Sequence, residues 1–190
     1  MVACGMAEDD TDERKRTDYL TFDDEAFTAY VLSQFDLNGD GRLSRYEAER
    51  VIEIDCSGLG IRTLGDIGAF RNLESLDCSD NALQRLDVER CRSLVELRAS
   101  RNILTQLSIE GLRSLRLLAC DENALTRLNL GTAINLQEAD LRGNGFEVLD
   151  FATCLSSLRA TVRSNPSLRT VYYRAGQQID YESPTELIER

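Results

Sequence analysis

Histidine and tryptophan are both absent from this chain of 190 residues. Without histidine there is no side chain that titrates by default near neutrality. The commonest general base, the commonest zinc ligand and the usual activator of a serine or cysteine nucleophile are missing with it. Lysine is nearly missing too: of 22 basic residues only Lys15 is lysine, a bias of composition without functional content. Positive charge is in deficit overall, with 33 acidic residues and a formal net charge of −11. Nucleic-acid binding is disfavoured by that sign. No apolar run reaches the roughly 20 residues that cross a bilayer as a helix. The six cysteines show no Cys-x-x-Cys spacing, which leaves a zinc or redox centre without support.

What the chain does have is an internal repeat of 21 residues between Leu73 and Leu149. Leu73, Leu94, Leu115 and Leu136 open successive units, and Leu76, Leu97, Leu118 and Ala139 follow three places on. Asn81, Asn102, Asn123 and Asn144 hold the ninth place. Leu83, Leu104, Leu125 and Phe146 hold the eleventh, and Leu86, Leu107, Leu128 and Leu149 the fourteenth. A unit of this size cannot bury a core alone, so the units must stack, equivalent leucines over one another. The alternation Leu73-x-x-Leu76-x-Cys78 predicts a short strand. A second alternation, Leu86-x-Val88, recurs as Leu107-x-Ile109, Leu128-x-Leu130 and Leu149-x-Phe151, and predicts a second extended segment per turn. The fold class expected is a strand-rich leucine-rich-repeat solenoid of about six turns with an N-terminal helix-loop-helix cap, α/β by class. The ninth-place asparagines are expected to satisfy backbone groups at an inward bend, because an amide both donates and accepts. Cys56, Cys78 and Cys120 share the sixth place, with Ala99 between them, and are expected to face inward as free thiols.

The sharpest chemical motif precedes the repeats. Asp36-Leu37-Asn38-Gly39-Asp40-Gly41-Arg42-Leu43-Ser44-Arg45-Tyr46-Glu47 looks like an EF-hand calcium loop. Asp36, Asn38 and Asp40 supply oxygens at the first, third and fifth places. Gly41 allows the sharp turn, Arg42 offers its carbonyl, Ser44 stands at the ninth place and Glu47 closes the shell with two oxygens. The expected cofactor is Ca2+, since this hard cation takes six to eight oxygen ligands. Asp23 and Asp24 suit the N-terminus of a preceding helix, whose face is Phe27, Tyr30, Val31 and Phe35. Only one such loop occurs, so the ion is expected to be structural, fixing helices over the open end of the coil.

Residues 1–19 read as a disordered tail or lipoprotein linker, 20–50 as the EF-hand-like cap, 51–171 as the repeats and 172–190 as a C-terminal cap, with closing strands at Thr170–Tyr173 and Ile179–Tyr181 and a short helix from Ser183. Val2-Ala3-Cys4-Gly5 resembles the end of a bacterial lipoprotein signal, which makes Cys4 a candidate for lipidation. Taken together, the calcium motif followed by Leu-x-x-Leu-Asp-Cys-Ser-x-Asn-x-Leu-x-x-Leu-Asp-Val resembles a family of bacterial leucine-rich-repeat surface lipoproteins over residues 21–171. The resemblance implies an outer-membrane or cell-surface location and a non-enzymatic binding module for an unidentified protein or glycan. It implies a monomer touching the membrane only through a lipid at Cys4. Candidate partner-binding residues are the outward Asp55, Asp77, Glu96 and Arg98 on the first face and Arg85 and Arg127 on the second. The alternatives are a cysteine-dependent enzyme with Cys91 or Cys154 as nucleophile, acting on host proteins, and a purely structural spacer.

Overall fold

The computed structural model describes residues 17–182 and 184–190. After helix α1 (Glu25–Phe35) and the one-turn α2 (Arg45–Ala48), the chain winds into a coil of short parallel strands. One ladder runs β1 (Glu53–Asp55), β2 (Ser75–Asp77), β4 (Glu96–Arg98), β6 (Leu117–Ala119), β7 (Glu138–Asp140), β9 (Arg159–Thr161) and β11 (Gln178–Asp180). These seven strands bound about six turns. The opposite side carries two shorter ladders: β3 (Arg85–Asp87) with β5 (Gln106–Ser108), and β8 (Val148–Asp150) with β10 (Thr170–Tyr173) and β12 (Glu186–Glu189). The register states the repeat directly: Leu76 pairs Leu97, Leu97 pairs Leu118, and Leu118 pairs Ala139. The middle residue of each first-ladder strand up to β9 points inward and is buried. Equivalent leucines therefore stack turn on turn, as the spacing predicts.

The asparagine column is present and one member longer than the four expected. Asn102 Nδ2 donates to the carbonyls of Cys78, Ala99 and Ser100 at 3.0, 3.2 and 3.2 Å, while its Oδ1 accepts from Leu83 N–H at 3.0 Å. Asn81, Asn123, Asn144 and Asn165 repeat this pattern, each joining two turns. The residue before each asparagine is left-handed: Asp80, Arg101, Glu122, Gly143 and Ser164 have φ between 51° and 62°. That conformation costs a non-glycine residue about 1–2 kcal/mol. It persists because the amide behind it satisfies four backbone groups at once.

Three parts of the coil depart from the sequence reading. No strand forms around Leu128, which is only partly buried, so the second face is split into two ladders. The closing helix expected from Ser183 is instead strand β12, whose Leu187 lies opposite Val171. Its segment Glu186-Leu187-Ile188-Glu189 finds the open edge of β10, and strand pairing wins over the helical tendency of so short a segment. The closing strands expected before it are present as β10 and β11, and β12 carries the ladder on. At the other end, Asp18 and Tyr19 are not loose. Leu20 N–H donates to Leu43 O, and Arg45 N–H donates to Asp18 O, both at 2.8 Å.

The N-terminal end of the coil is closed by aromatic packing. Phe70, fully buried in the first turn, meets Phe22, Phe27 and Phe35 at centroid distances of 6.1–6.3 Å. The Asp24 carboxylate caps α1 by accepting from Ala26 and Phe27 N–H, and its Oδ2 accepts from Arg62 N–H of the coil at 2.8 Å. Burial pushes this carboxyl upward. The N–H groups of Arg62, Phe27, Thr63 and Ala26 outweigh that push and hold it below the usual aspartate value. Tyr30 adds a hydroxyl that accepts from Asp55 N–H at 3.1 Å and so satisfies a donor on the exposed edge of β1.

Replacing Asn102 by alanine leaves buried Leu83 N–H without a partner and removes one of two donors from the Cys78 and Ala99 carbonyls, which keep Asn81 and Asn123. Each unsatisfied buried group costs about 1–3 kcal/mol. The expected loss, allowing for partial hydration, is about 2–4 kcal/mol in urea unfolding; a loss below about 0.5 kcal/mol would contradict the role given to the column.

Candidate functional site

The calcium-like loop joins α1 to α2. Gly39 and Gly41 adopt φ values of +71° and +77°, which folds the carboxylates back over the turn. Asp36 Oδ1 accepts from Gly39 N–H at 2.9 Å, and Asp36 Oδ2 from Gly41 N–H at 2.8 Å. Asn38 Oδ1 accepts from Asp40 N–H, and Asp40 Oδ1 from Arg42 N–H, both at 2.9 Å. The Tyr19 hydroxyl donates to Asp40 Oδ2 at 3.1 Å, and this bond holds the phenol above its ordinary pKa. Ser44 is the N-cap of α2, in a capping box with Glu47.

Glu47 is buried, and both carboxylate oxygens are engaged. Oε1 accepts from Leu37 N–H at 2.9 Å and Asn38 N–H at 3.3 Å; Oε2 accepts from Ser44 N–H at 2.8 Å and Ser44 Oγ–H at 2.7 Å. The donor set of Asp36, Asn38, Asp40, the Arg42 carbonyl, Ser44 and Glu47 is all oxygen and suits calcium in chemistry. In this arrangement no three Asp, Glu or Cys side chains among the described residues converge closely enough to hold an ion. Glu47 clamps the two ends of the loop together through N–H and O–H donors.

The outward columns of the seven-stranded ladder form the broadest continuous face. One column reads Asp55, Asp77, Arg98, Ala119, Asp140, Thr161 and Asp180; the next reads Glu53, Ser75, Glu96, Leu117, Glu138, Arg159 and Gln178. The fold therefore brings Asp55, Asp77, Glu96 and Arg98 together. Arg98 Nη1 pairs with Glu96 Oε2 at 2.7 Å. Arg85 and Arg127 are exposed on the other side of the coil, Arg85 beside Gln106 in the β3–β5 ladder and Arg127 outside any strand. They do not join the first four.

A further column, buried at Ser79 and Ser100 and exposed at Arg142 and Arg163, was missed by reading strand residues alone. Ser79, Ser100, Asp121, Arg142 and Arg163 recur one period apart just beyond the strands. Ser100 Oγ donates to Asp121, Arg142 pairs with Asp140 at 2.6 Å, and Arg163 with Asp180 at 2.7 Å. Polar and acidic at the leading turns and basic at the trailing ones, this column was legible in the same 21-residue period.

The cysteines are set for packing, not chemistry. Cys56, Cys78, Cys91, Cys120 and Cys154 are buried free thiols. Burial pushes Cys91 up to about 12, reinforced by Asp87, and Cys154 up to about 11, with the Asp150 charge acting the same way. A nucleophile needs the thiolate, so the enzyme alternative gains nothing from either residue. Cys4 lies outside the described residues. No helix among the described residues is long and apolar enough to cross a membrane.

Parallel strands at a 21-residue period, a stacked leucine interior and an asparagine column define a leucine-rich-repeat coil. Among solved structures, the functional domain of InlJ from Listeria monocytogenes, described as including a cysteine ladder, matches with a TM-score of 0.70 and 22% identity over 83% of this chain. The internalin InlF from Listeria monocytogenes matches with a TM-score of 0.63 and 16% identity, again over 83% of this chain. This chain spans 37% of the InlJ domain and 51% of InlF. These likenesses establish the fold. Neither a protein-family model nor a curated protein sequence matches the chain.

With Cys4 replaced by serine, the native protein at pH 8 should react with a thiol reagent only as fast as it unfolds, and all five remaining thiols should react in denaturant. One thiol labelled at the rate of a free cysteine in the folded protein would restore the nucleophile reading.

Proposed function

We propose that this chain is a non-enzymatic binding module of the bacterial cell surface that recognises a protein or glycan through the outward face of the seven-stranded ladder. The observation that carries the reading is that face itself: a continuous parallel sheet of seven strands whose outward side chains stand in regular columns. Asp55, Asp77, Glu96 and Arg98 surround its leading half, and Leu117 and Ala119 form a bare centre suited to close approach. Specific interfaces commonly have an apolar centre within a polar rim. Arg85 and Arg127 belong to a secondary face. Lipidation at Cys4 would tether the module to the outer membrane as a monomer.

In this reading the loop takes Ca2+ as a structural ion through Asp36, Asn38, Asp40, the Arg42 carbonyl, Ser44 and Glu47. The ion would neutralise carboxylates in the loop that covers the leading turn. The ion would join the same two ends of the loop that Glu47 clamps by hydrogen bonds.

Two measurements test the proposal. The purified chain is screened against extracellular glycoproteins and surface polysaccharides. A ligand retained by the native chain should be lost from a Leu117→Arg, Glu96→Arg variant of unchanged melting temperature; equal retention by that variant moves recognition off this face. For the ion, calcium at about a hundred times its Kd should contribute about 2.7 kcal/mol to stability and raise the melting temperature by several degrees. Asp36→Ala should erase the difference, whereas coincident melting curves with and without calcium would remove the ion from the cap.

A further inference from the structure

A polar recess lies away from the ladder face, where the cap meets the first loop of the coil. It has a volume of about 360 Å³, and three arginines line it: Arg45 from α2, Arg71 from the loop before β2, and Arg90 from the loop after β3. Asp66 and Asp87 share the lining. That volume is within the range of small-molecule sites, roughly 300–1,000 Å³.

The charged groups are incompletely used by the protein. Arg45 Nε is held by Asp18 Oδ2 at 2.7 Å. Arg71 and Arg90 make no ion pair and no side-chain hydrogen bond among the described residues, although acidic residues outnumber basic ones across the chain. Asp66 stands at the head of a single 3-10 turn (Ile67–Ala69) without a side-chain cap bond. Asp87 spends Oδ1 on Glu89 N–H at 3.0 Å, which leaves Oδ2 open.

Arg90 is also placed by the backbone beneath it. Its stem crosses Gly68 so closely that a Cβ there would stand 3.0 Å from Arg90 Cβ and 3.1 Å from Arg90 Cδ. Contacts that close are uncommon for a real Cβ, so Gly68 gives the Arg90 stem room to lie across the turn. A pre-positioned arginine loses less freedom on forming hydrogen bonds.

We infer that this recess is a binding site for an acidic sugar, a ring bearing several hydroxyls and one carboxylate. The guanidiniums of Arg71 and Arg90 match a carboxylate, which arginine recognises with paired N–H donors. Asp66 and Asp87 are acceptors and match hydroxyl donors. A bare anion would meet two carboxylates with nothing to offer them, and a neutral sugar would leave the guanidiniums unanswered. Only a ligand with both kinds of group uses the whole lining. The inference does not rest on the ladder face, and either can fail alone.

The test uses the full chain and glucuronate, followed by NMR titration at constant ionic strength. Saturable millimolar binding is expected, with glucose and inorganic sulfate each weaker by roughly tenfold or more. Arg71→Ala and Arg90→Ala should each weaken glucuronate roughly tenfold without altering the melting temperature, and Gly68→Ala should weaken it by displacing Arg90. An oligouronate arm separates a free sugar from the end of a polymer, and saturable binding of either supports the site. No saturation by either, sulfate or glucose binding as well as glucuronate, or arginine variants that bind as the native chain does would overturn it.

Discussion

A coil that turns inward once per unit must bury backbone amides and carbonyls at every bend, where water cannot reach them. Here one side chain per turn meets that demand. The asparagine amide donates to carbonyls of its own turn and the turn before, and its oxygen accepts an N–H from the preceding turn. Because each amide touches two turns, it fixes their relative register. A slip by one residue would break all four bonds and leave a buried N–H unpaired at each turn, at about 1–3 kcal/mol apiece. The strand register on both faces, the left-handed residue before each asparagine and the stacking of leucines behind them all follow from that demand.

The ends show what happens where the device is missing. The first turn has Leu59 where an asparagine would stand, exposed and flanked by left-handed Gly58 and Gly60. Ile61 N–H is still served, by Asn81 of the next turn, but Arg62 N–H falls to Asp24 of the cap. The cap is thus a hydrogen-bonding extension of the coil as well as a plug of aromatic rings. At the trailing end Gln177 takes up a similar task, its Nε2 donating to the carbonyls of Phe151, Cys154 and Leu155.

The interior was legible from the sequence because burial repeats with the chain: a position that is leucine four times over can only be a core position. The asparagine column was legible for the same reason, and so was the calcium-like loop, whose spacing is its own signature. Other features obey no single-sequence rule. Whether the last residues of the chain coil or pair is settled by an open strand edge, and β12 pairs because β10 leaves one; its sequence alone reads equally well as helix. Leu128 has the expected residue type yet forms no strand. Asp18 and Tyr19 sit in a charged, featureless stretch, and their order comes from the backbone edge at Leu43–Arg45. The recess beside Arg90 depends on residues from the cap and two loops, a juxtaposition invisible before folding.

The same division explains why fold and function carry such different amounts of information here. Coils as distant as 22% and 16% in identity share this architecture because the inward positions tolerate few alternatives. The outward positions answer to no packing constraint, so charge there is free to vary from turn to turn. On this chain that freedom has been used unevenly. Asp55 and Asp77 stand at the leading strands, while Arg142 and Arg163 at the trailing ones are answered by Asp140 and Asp180. Paired charges at the trailing end hold side chains in place and neutralise one another, so they offer a partner little net field. Asp55 and Asp77 are engaged only by nearby serine donors, Ser57 and Ser79, and keep their charge toward solvent. The negative charge of this face that no arginine answers among the described residues therefore lies at its leading half, beside the cap and the calcium-like loop.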